Sequence, residues 1–158
     1  MPKAADVINP LEDDEQIAVL EYCEIFSMPY FHVNNELWTS SWKQKARAKK
    51  LGTQSGVPDL FIFIPMGRNQ VTNEPAYKMV AIEMKRRRGS TTSEAQKNWG
   101  RIMNQAAVPH AVCKGATEAI EFIKFAKQYY GKAYRREQDT IKSFSEALMD
   151  TLGKKGKS

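Results

Sequence analysis

The sequence predicts an α/β fold in which a mixed central sheet is flanked by helices. Two apolar runs, at residues 59–65 and 77–85, are separated by a polar turn, which is typical of a hairpin. Segments with apolar residues at helical spacing lie on both sides of that hairpin. With 158 residues, the chain is long enough for one domain with a single core.

The first helix has start and stop signals in the sequence. Asn9 can cap it, Pro10 occupies the first helical position, and Glu12 follows three residues after the cap. The helix is expected to run to about Phe26, because Met28 and a proline follow it.

The next segment is short and polar. Residues 30–33 are predicted to form a strand, and residues 34–36 a turn. A helix is predicted over residues 39–51, with Ala46 and Leu51 facing inward and its lysines facing outward. A loop containing glycine and proline then leads into the hairpin.

The hairpin places charged residues where a buried sheet normally has none. Its strands are predicted at 59–65 and at 77–85, joined by an exposed turn over residues 66–75. Because side chains alternate along a strand, Glu83 and Lys85 share one face.

A third helix is expected to begin at a Thr92 or Ser93 cap and to continue to Ala106. Its predicted inner stripe consists of Ala95, Trp99, Ile102, Met103 and Ala106. Residues 108–113 are predicted to form the next strand.

Two further helices are predicted after this strand. One opens at Thr117 and continues to about residue 130, and a last amphipathic helix covers residues 139–152. The apolar residues of the last helix are Ile141, Phe144, Leu148 and Leu152. This face needs a partner surface.

The two cysteines, Cys23 and Cys113, lie far apart and have neither disulfide nor metal-binding spacing. They are expected to be core residues of a protein from a reducing compartment. There is no secretion signal at the N-terminus and no apolar run near the ~18 residues of a membrane helix. A cytoplasmic protein without membrane contact is predicted.

The basic residues are unevenly distributed. Of 24 bases and 18 acids, residues 1–26 hold one base and seven acids, which leaves 23 bases and 11 acids for the rest. Such an excess favours a surface that binds a polyanion over a solvated surface that only keeps the protein soluble. The candidate nucleic-acid contacts are Lys43, Lys45, Arg47, Lys49, Lys50, Arg86, Arg87 and Arg88.

The charged residues of the hairpin fit metal-assisted phosphodiester hydrolysis. Mg²⁺ prefers oxygen ligands, and Asp59, Glu83 and the backbone carbonyl of Met84 can supply them. Lys85 can orient or deprotonate the attacking water and offset negative charge. The alternative is that Glu83 and Lys85 form an ordinary surface ion pair. Asp59 at the start of the partner strand favours the metal site.

These residues resemble a known family, the virus-type replication-repair nuclease (VRR-NUC) domain of the PD-(D/E)xK nuclease superfamily. The stretches that carry the resemblance are Gly56-Val57-Pro58-Asp59-Leu60, Glu83-Met84-Lys85, Ser93-Glu94-Ala95-Gln96-Lys97-Asn98-Trp99 and Val108-Pro109-His110-Ala111-Val112. The resemblance covers about residues 12–130. The predicted turn is longer than the compact hairpin of the family, which leaves the strand register open.

The resemblance implies roles for individual residues. Asp59 and Glu83 would be metal ligands for Mg²⁺ or Mn²⁺, and Lys85 the catalytic lysine. Gln96 would reach the active site from the third helix. Glu15 fits the acidic residue that the first helix contributes in related nucleases, although acids at a helix start also stabilise the helix dipole without any other role.

The resemblance also divides the chain. Residues 1–11 would form an N-terminal lead and residues 12–131 the nuclease domain with its PD-(D/E)xK-like fold. Residues 132–152 would form a C-terminal amphipathic helix that can serve as a dimer element. Residues 153–158 would be a basic disordered tail.

The function that the resemblance implies is a metal-dependent, structure-selective DNA endonuclease. It would act as a homodimer on branched DNA, as a Holliday-junction-resolving enzyme does, in the cytoplasm of a bacterial or phage-infected cell. The alternatives are a flap or restriction-type nuclease, a non-catalytic basic DNA-binding module, and a subunit that recruits a helicase through its C-terminal helix.

Overall fold

The computed structural model describes residues 11–33 and 41–155. Its elements in chain order are α1 (Glu12–Ile25), β1 (Tyr30–His32), α2 (Trp42–Lys50), β2 (Leu60–Arg68), β3 (Pro75–Lys85), α3 (Glu94–Gln105), β4 (His110–Lys114) and α4 (Gly115–Lys155). The strands form one mixed sheet in the order β1-β2-β3-β4. The predicted α/β class is confirmed.

The sheet combines both kinds of strand pairing. β2 is antiparallel to β1 and to β3, whereas β3 and β4 are parallel. A parallel pair needs a crossover connection, which α3 supplies. Within the hairpin, Phe61 lies opposite Ala81 and Leu60 opposite Ile82, which fixes the register that the sequence left open.

The hairpin turn is shorter than predicted and covers residues 69–74. The prediction that the turn begins at Met66 is wrong, because β2 continues to Arg68. A register shift between Pro65 and Gly67 marks a bulge, after which pairing resumes. Gly67 has a φ of 131°, a conformation that a side chain would disfavour.

The hydrophobic core lies between one face of the sheet and the helices α1 and α4. Its completely buried side chains include Val19, Cys23, Leu60, Ile62, Ile64, Val80, Ile82, Met84 and Ile123. Both cysteines are free and buried, as predicted. Burial raises the pKa of Cys23 to about 11 and that of Cys113 to about 12, so both thiols stay neutral.

The other face of the sheet carries Phe61, Ala81 and Glu83, in agreement with strand alternation. The ring of Phe31 stacks on that of Phe61, with 4.8 Å between the ring centres. The first turn of α3 contacts the same face through Gln96. This face is therefore the one that holds charged residues.

The predicted end of α1 is confirmed, because the helix stops at Ile25. The amide of Met28 donates to the carbonyl of Cys23, and Ser27 has a φ of 51°. This closes the last turn. The predicted cap, Asn9, and Pro10 lie outside the described residues.

α2 buries none of its residues. The prediction that Leu51 faces inward is wrong, since 76% of Leu51 is exposed just after the helix. The predicted turn at residues 34–36 and the first two predicted residues of this helix fall outside the described part of the chain.

α3 begins at the predicted cap. Ser93 and Gln96 form a reciprocal capping box. The inner stripe is narrower than predicted: Ala95, Trp99 and Met103 are half-buried, whereas Ile102 and Ala106 are exposed.

Gly100 is the buried residue of α3 because the helix approaches β4 there. A Cβ at this position would lie 2.7 Å from Nδ1 of His110. Only a residue without a side chain allows α3 and β4 to pack this closely.

α4 is one helix of 41 residues, so the prediction of two helices separated near residue 131 is wrong. Gly131 is the weakest helix former in the connecting segment, and the residues that follow it mostly favour helix. Gln138 is buried and accepts a hydrogen bond from the amide of Gln70 in the hairpin turn. The helix also includes Gly153–Lys155, where a disordered tail was predicted.

The second half of α4 leaves apolar side chains exposed. Ile141, Phe144 and Leu148 have exposed fractions of 43%, 69% and 47%. We call these three residues the C-terminal apolar face. Despite the length of α4, none of the helices in the described ranges is apolar enough over its length to cross a bilayer.

Candidate active site

The antiparallel hairpin brings Asp59 and Glu83 together. Asp59 directly precedes β2, and its Oδ2 accepts a hydrogen bond of 2.9 Å from the amide of Met84 in β3. Glu83, the neighbour of Met84, is 2% exposed. The carboxylates of Asp59 and Glu83, both predicted metal ligands, therefore lie close to the same peptide group, the one that joins Glu83 to Met84.

Glu83 is held by two donors on the same oxygen. Nζ of Lys85 lies 2.8 Å from its Oε1, and Nε2 of Gln96 donates to the same atom. The side chain of Lys85 is 12% exposed. The structure thus unites Asp59, Glu83, Lys85 and Gln96, all four predicted catalytic residues.

The pKa values of both carboxylates are raised, even though Lys85 is paired with Glu83. Burial, and then the negative charge of Asp59, raise the pKa of Glu83 to about 7, against the opposing effect of Lys85. Burial also raises the pKa of Asp59, although the Met84 amide and the charge of Lys85 lower it. Two desolvated carboxylates that repel each other are the environment that a cation stabilises.

The capping box determines which end of the Gln96 amide faces Glu83. The amide of Ser93 donates to Oε1 of Gln96 at 2.9 Å, and Oγ of Ser93 accepts from the backbone amide of Gln96 at 3.2 Å. With Oε1 used by the cap, Nε2 is left to donate to Glu83. Gln96 therefore positions the Glu83 carboxylate with its Nε2, and its own Oε1 faces the Ser93 amide instead.

Gly56 packs against the backbone of Gln96 and so helps to set its position. Its φ is 80°, and a Cβ there would lie 2.7 Å from backbone atoms of Ala95 and Gln96. The loop before Asp59 therefore packs directly against the first turn of α3. A glycine is required for this close approach.

Two residues near the site were not in the predicted catalytic set. The carboxylate of Glu12 accepts from the amide of Arg86 at 3.2 Å, and its charge adds to the effect of burial in raising the pKa of both Asp59 and Glu83. Nδ1 of His32 lies 3.0 Å from the carbonyl oxygen of Asp59. The sequence identified Glu12 only by its place near a helix start.

Glu15 lies apart from these residues and has its own partners. Its Oε1 is 2.6 Å from Nε of Arg87, and its Oε2 accepts from the amide of Ala116 at 2.7 Å. Burial would raise the pKa of Glu15, but these two partners hold it below its usual value. Glu15 thus connects α1 to the segment after β3 and to the start of α4, and among the described residues it does not group with Asp59 and Glu83.

The predicted DNA-contacting cations fall into two groups, those exposed to solvent and one that is paired within the protein. All five basic residues of α2 are exposed, as are Arg86 and Arg88. Arg87 is half exposed, but its guanidinium is bound to Glu15. Sequence reasoning grouped Arg87 with its neighbours because the run of arginines does not show which one turns inward.

A comparison with protein families matches the VRR-NUC domain over residues 32–117, which is more than half of the chain. The chain belongs to the VRR-NUC family. This membership makes it a nuclease domain with DNA as the implied substrate. No curated protein and no solved structure shows significant similarity to the chain.

The matched VRR-NUC segment includes β2, β3 and α3, and hence every residue of the candidate site except Glu12. Within residues 11–33 and 41–155, no three His, Cys, Asp or Glu side chains group closely enough to hold a metal ion. The available donors are two carboxylates and a backbone carbonyl. This set fits Mg²⁺ or Mn²⁺, which take oxygen ligands and retain several waters.

Proposed function

We propose that the chain is a divalent-metal-dependent DNA endonuclease that hydrolyses phosphodiester bonds in branched DNA, four-way junctions among them. The observation that carries the proposal is the pair Asp59 and Glu83, which are desolvated beside each other and share the Met84 backbone unit. The two carboxylates share a single ammonium, that of Lys85, which leaves a negative charge for a divalent cation to offset.

The residues of the site have separate tasks in this proposal. Asp59, Glu83 and the carbonyl of Met84 would hold Mg²⁺ or Mn²⁺, which supplies an acidified water and neutralises charge on the phosphate. Lys85 orients the attacking water and stabilises the negative charge that develops in the transition state. Gln96 keeps the Glu83 carboxylate in place through its Nε2.

Branched DNA is proposed as substrate because cations are spread over several segments and a dimer can present two sites. The basic helix α2, and the residues Arg86 and Arg88 just after β3, provide exposed positive charge. The C-terminal apolar face offers a surface for a second copy, and a two-fold axis would place two active sites on symmetric strands. The division of the chain at residue 131 and a cytoplasmic site of action belong to the same proposal.

A cleavage assay tests the chemistry and the substrate together. Labelled four-way junction, flap and linear duplex DNA of matched sequence are incubated with the protein in Mg²⁺, in Mn²⁺ and in a chelator. The proposal expects metal-dependent cuts in the junction ahead of the other two substrates. Faster cutting of the flap or the duplex would identify a flap or restriction-type nuclease instead.

Two control outcomes separate the remaining alternatives. Salt-sensitive binding of all three substrates with no product in either metal would indicate a non-catalytic DNA-binding module. Phe144→Glu should convert a dimer to a monomer in sedimentation experiments, whereas Phe125→Glu, at another exposed ring of α4, should not. A wild-type protein that sediments as a monomer at all concentrations would remove the dimer from the proposal.

A further inference from the structure

One face of α2 combines an exposed tryptophan with cations. The residues Trp42, Lys45, Ala46, Lys49 and Lys50 recur at helical spacing and line a groove of about 620 Å³. We call them the α2 platform. The side chain of Trp42 is 83% exposed. A ring of this size normally buries 150–250 Å² of surface, roughly, so its exposure points to a partner.

The charge of α2 identifies the chemical class of that partner. The helix contains five basic residues and no acid, so the groove beside Trp42 attracts a polyanion. An apolar protein segment would not need this density of positive charge. A partner with both a flat apolar ring and a phosphate matches the two components of the surface.

The chain connection of α2 ties it to the candidate active site. The excursion that contains α2 starts after Val33 and returns at Asp59, and the amide of Val33 donates to the carbonyl of Asp59 at 2.9 Å. Eight residues lie between Lys50 and Asp59, and these nine steps along the chain limit their distance to about 30 Å. Both ends of the excursion are therefore anchored at a proposed metal ligand.

We infer that the α2 platform binds unpaired nucleotides of single-stranded DNA, with a base stacked on Trp42 and phosphates bound by Lys45 and Lys49. Stacking requires a base whose face is free, which a paired duplex does not offer. The platform thus selects DNA with an unpaired segment next to the site of cutting. The inference rests on the proposed function only in taking DNA as the polyanion.

The test is a binding experiment without metal, so that cleavage does not enter it. Fluorescence anisotropy in a chelator, at one fixed salt concentration, compares an oligo-dT of about 20 nucleotides with a blunt duplex of the same length. Trp42→Ala should weaken binding of the single strand about tenfold and change duplex binding less than about twofold. Trp42→Phe should retain most of the single-strand affinity.

Two further variants distinguish the contribution of base stacking to binding from that of charge, and from the effect of removing any exposed aromatic ring. Lys49→Ala should weaken both probes alike and reduce the salt dependence of binding by about one unit of slope. Phe125→Ala, which removes a ring that is 65% exposed on α4, should change neither probe. Circular dichroism checks that each variant is folded.

The inference is overturned if Trp42→Ala binds the single strand with wild-type affinity. It is also overturned if the variant loses affinity for the single strand and for the duplex by the same factor. It is also overturned if Trp42→Ala changes the sedimentation mass, because Trp42 would then lie in a contact between two copies. A wild-type protein that cuts no DNA would defeat the proposed endonuclease and leave these binding results intact. A nuclease whose Trp42→Ala variant binds single strands normally would defeat the platform alone.

Discussion

Two buried glutamates of this protein have opposite electrostatic environments. Glu15 and Glu83 are 4% and 2% exposed, and each is paired with a cation. The pKa of Glu15 lies below its usual value, because an arginine and a backbone amide bind the carboxylate on both oxygens. The pKa of Glu83 is raised to about 7 by burial and by the neighbouring Asp59.

The difference shows that two carboxylates with nearly equal burial can have opposite electrostatic environments. Glu15 is paired with Arg87, which lies just after β3, and accepts a hydrogen bond from the first turn of α4. Glu83 shares a desolvated region with a second acid, an arrangement that costs stability unless a cation binds. Burial alone, which is nearly equal for the two, does not separate these environments.

The largest expected effect is on cleavage. Asp59→Asn and Glu83→Gln should each reduce the rate of DNA cleavage by about a hundredfold or more, since metal-assisted charge stabilisation contributes several kcal/mol and each 1.36 kcal/mol is tenfold in rate. Glu15→Gln should stay within about threefold of wild type under conditions where it is folded. Single-turnover assays with saturating protein measure these rates. A folded Glu15→Gln protein as inactive as Glu83→Gln would erase the distinction.

Stability should show the reverse order. Glu15→Gln should lower the free energy of unfolding by about 2 kcal/mol, less than for a fully buried pair because Arg87 is half exposed. Glu83→Gln without metal should change it by less than about 1 kcal/mol, since a repelling charge is removed. Urea denaturation followed by circular dichroism gives both values.

The pH dependence of this loss provides an internal check. A carboxylate whose pKa is lowered by folding stabilises the protein above its ordinary value of 4.5, and this contribution disappears as the pH falls through the lowered pKa. The gap in unfolding free energy between wild type and Glu15→Gln should therefore narrow below pH 4.5. A gap that stays constant in acid would mean that the loss has another origin.

Metal should stabilise the protein through one glutamate and not the other. At a hundred times its dissociation constant, Mg²⁺ should add about 2.7 kcal/mol to the free energy of unfolding of wild type and of Glu15→Gln. The Glu83→Gln variant should gain much less at the same concentration. Thermal denaturation with Mg²⁺ titrated from zero tests this, and equal stabilisation of all three proteins would place the cation elsewhere.

The smallest effect concerns Gln96, which orients Glu83. Gln96→Glu keeps an acceptor for the Ser93 amide but replaces the donor to Glu83 with a negative charge, so cleavage should fall about tenfold or more, a larger loss than its effect on stability accounts for. Ser93→Ala removes the cap and should cost about 1 kcal/mol of stability with a smaller effect on cleavage. If the two variants lose activity in proportion to stability, Gln96 acts only as a cap.

Much of the site followed from local rules. Strand alternation placed Glu83 and Lys85 on one face, and the cap at Ser93 fixed which residues of α3 lie in its first turn. Asp59 at the start of the partner strand then needed only an antiparallel hairpin to reach Met84. These relations depend on near neighbours in sequence, and the structure reproduces each of them.

The errors arose where distant segments decide the outcome. The resemblance offered Glu15 as an acid of the metal site, but only the packing of α1 against α4 and the chain after β3 gave it Arg87 and the Ala116 amide as partners. The same packing brought Glu12 within electrostatic reach of the site. The single glycine at 131 was too weak a signal to end α4, whose contact with the hairpin turn at Gln138 is again tertiary.

The sequence by itself determined the α/β class and the hairpin with its two acids and lysine, because these are encoded in alternation and residue type within a few positions, whereas the place of Gln96 at the site followed from the family resemblance. The tertiary structure alone decided that Glu15 pairs with Arg87, that the charge of Glu12 reaches the two carboxylates, and that α4 continues past residue 131. A carboxylate's role depends on the partners that surround it, and those partners come from segments as far as a hundred residues away along the chain.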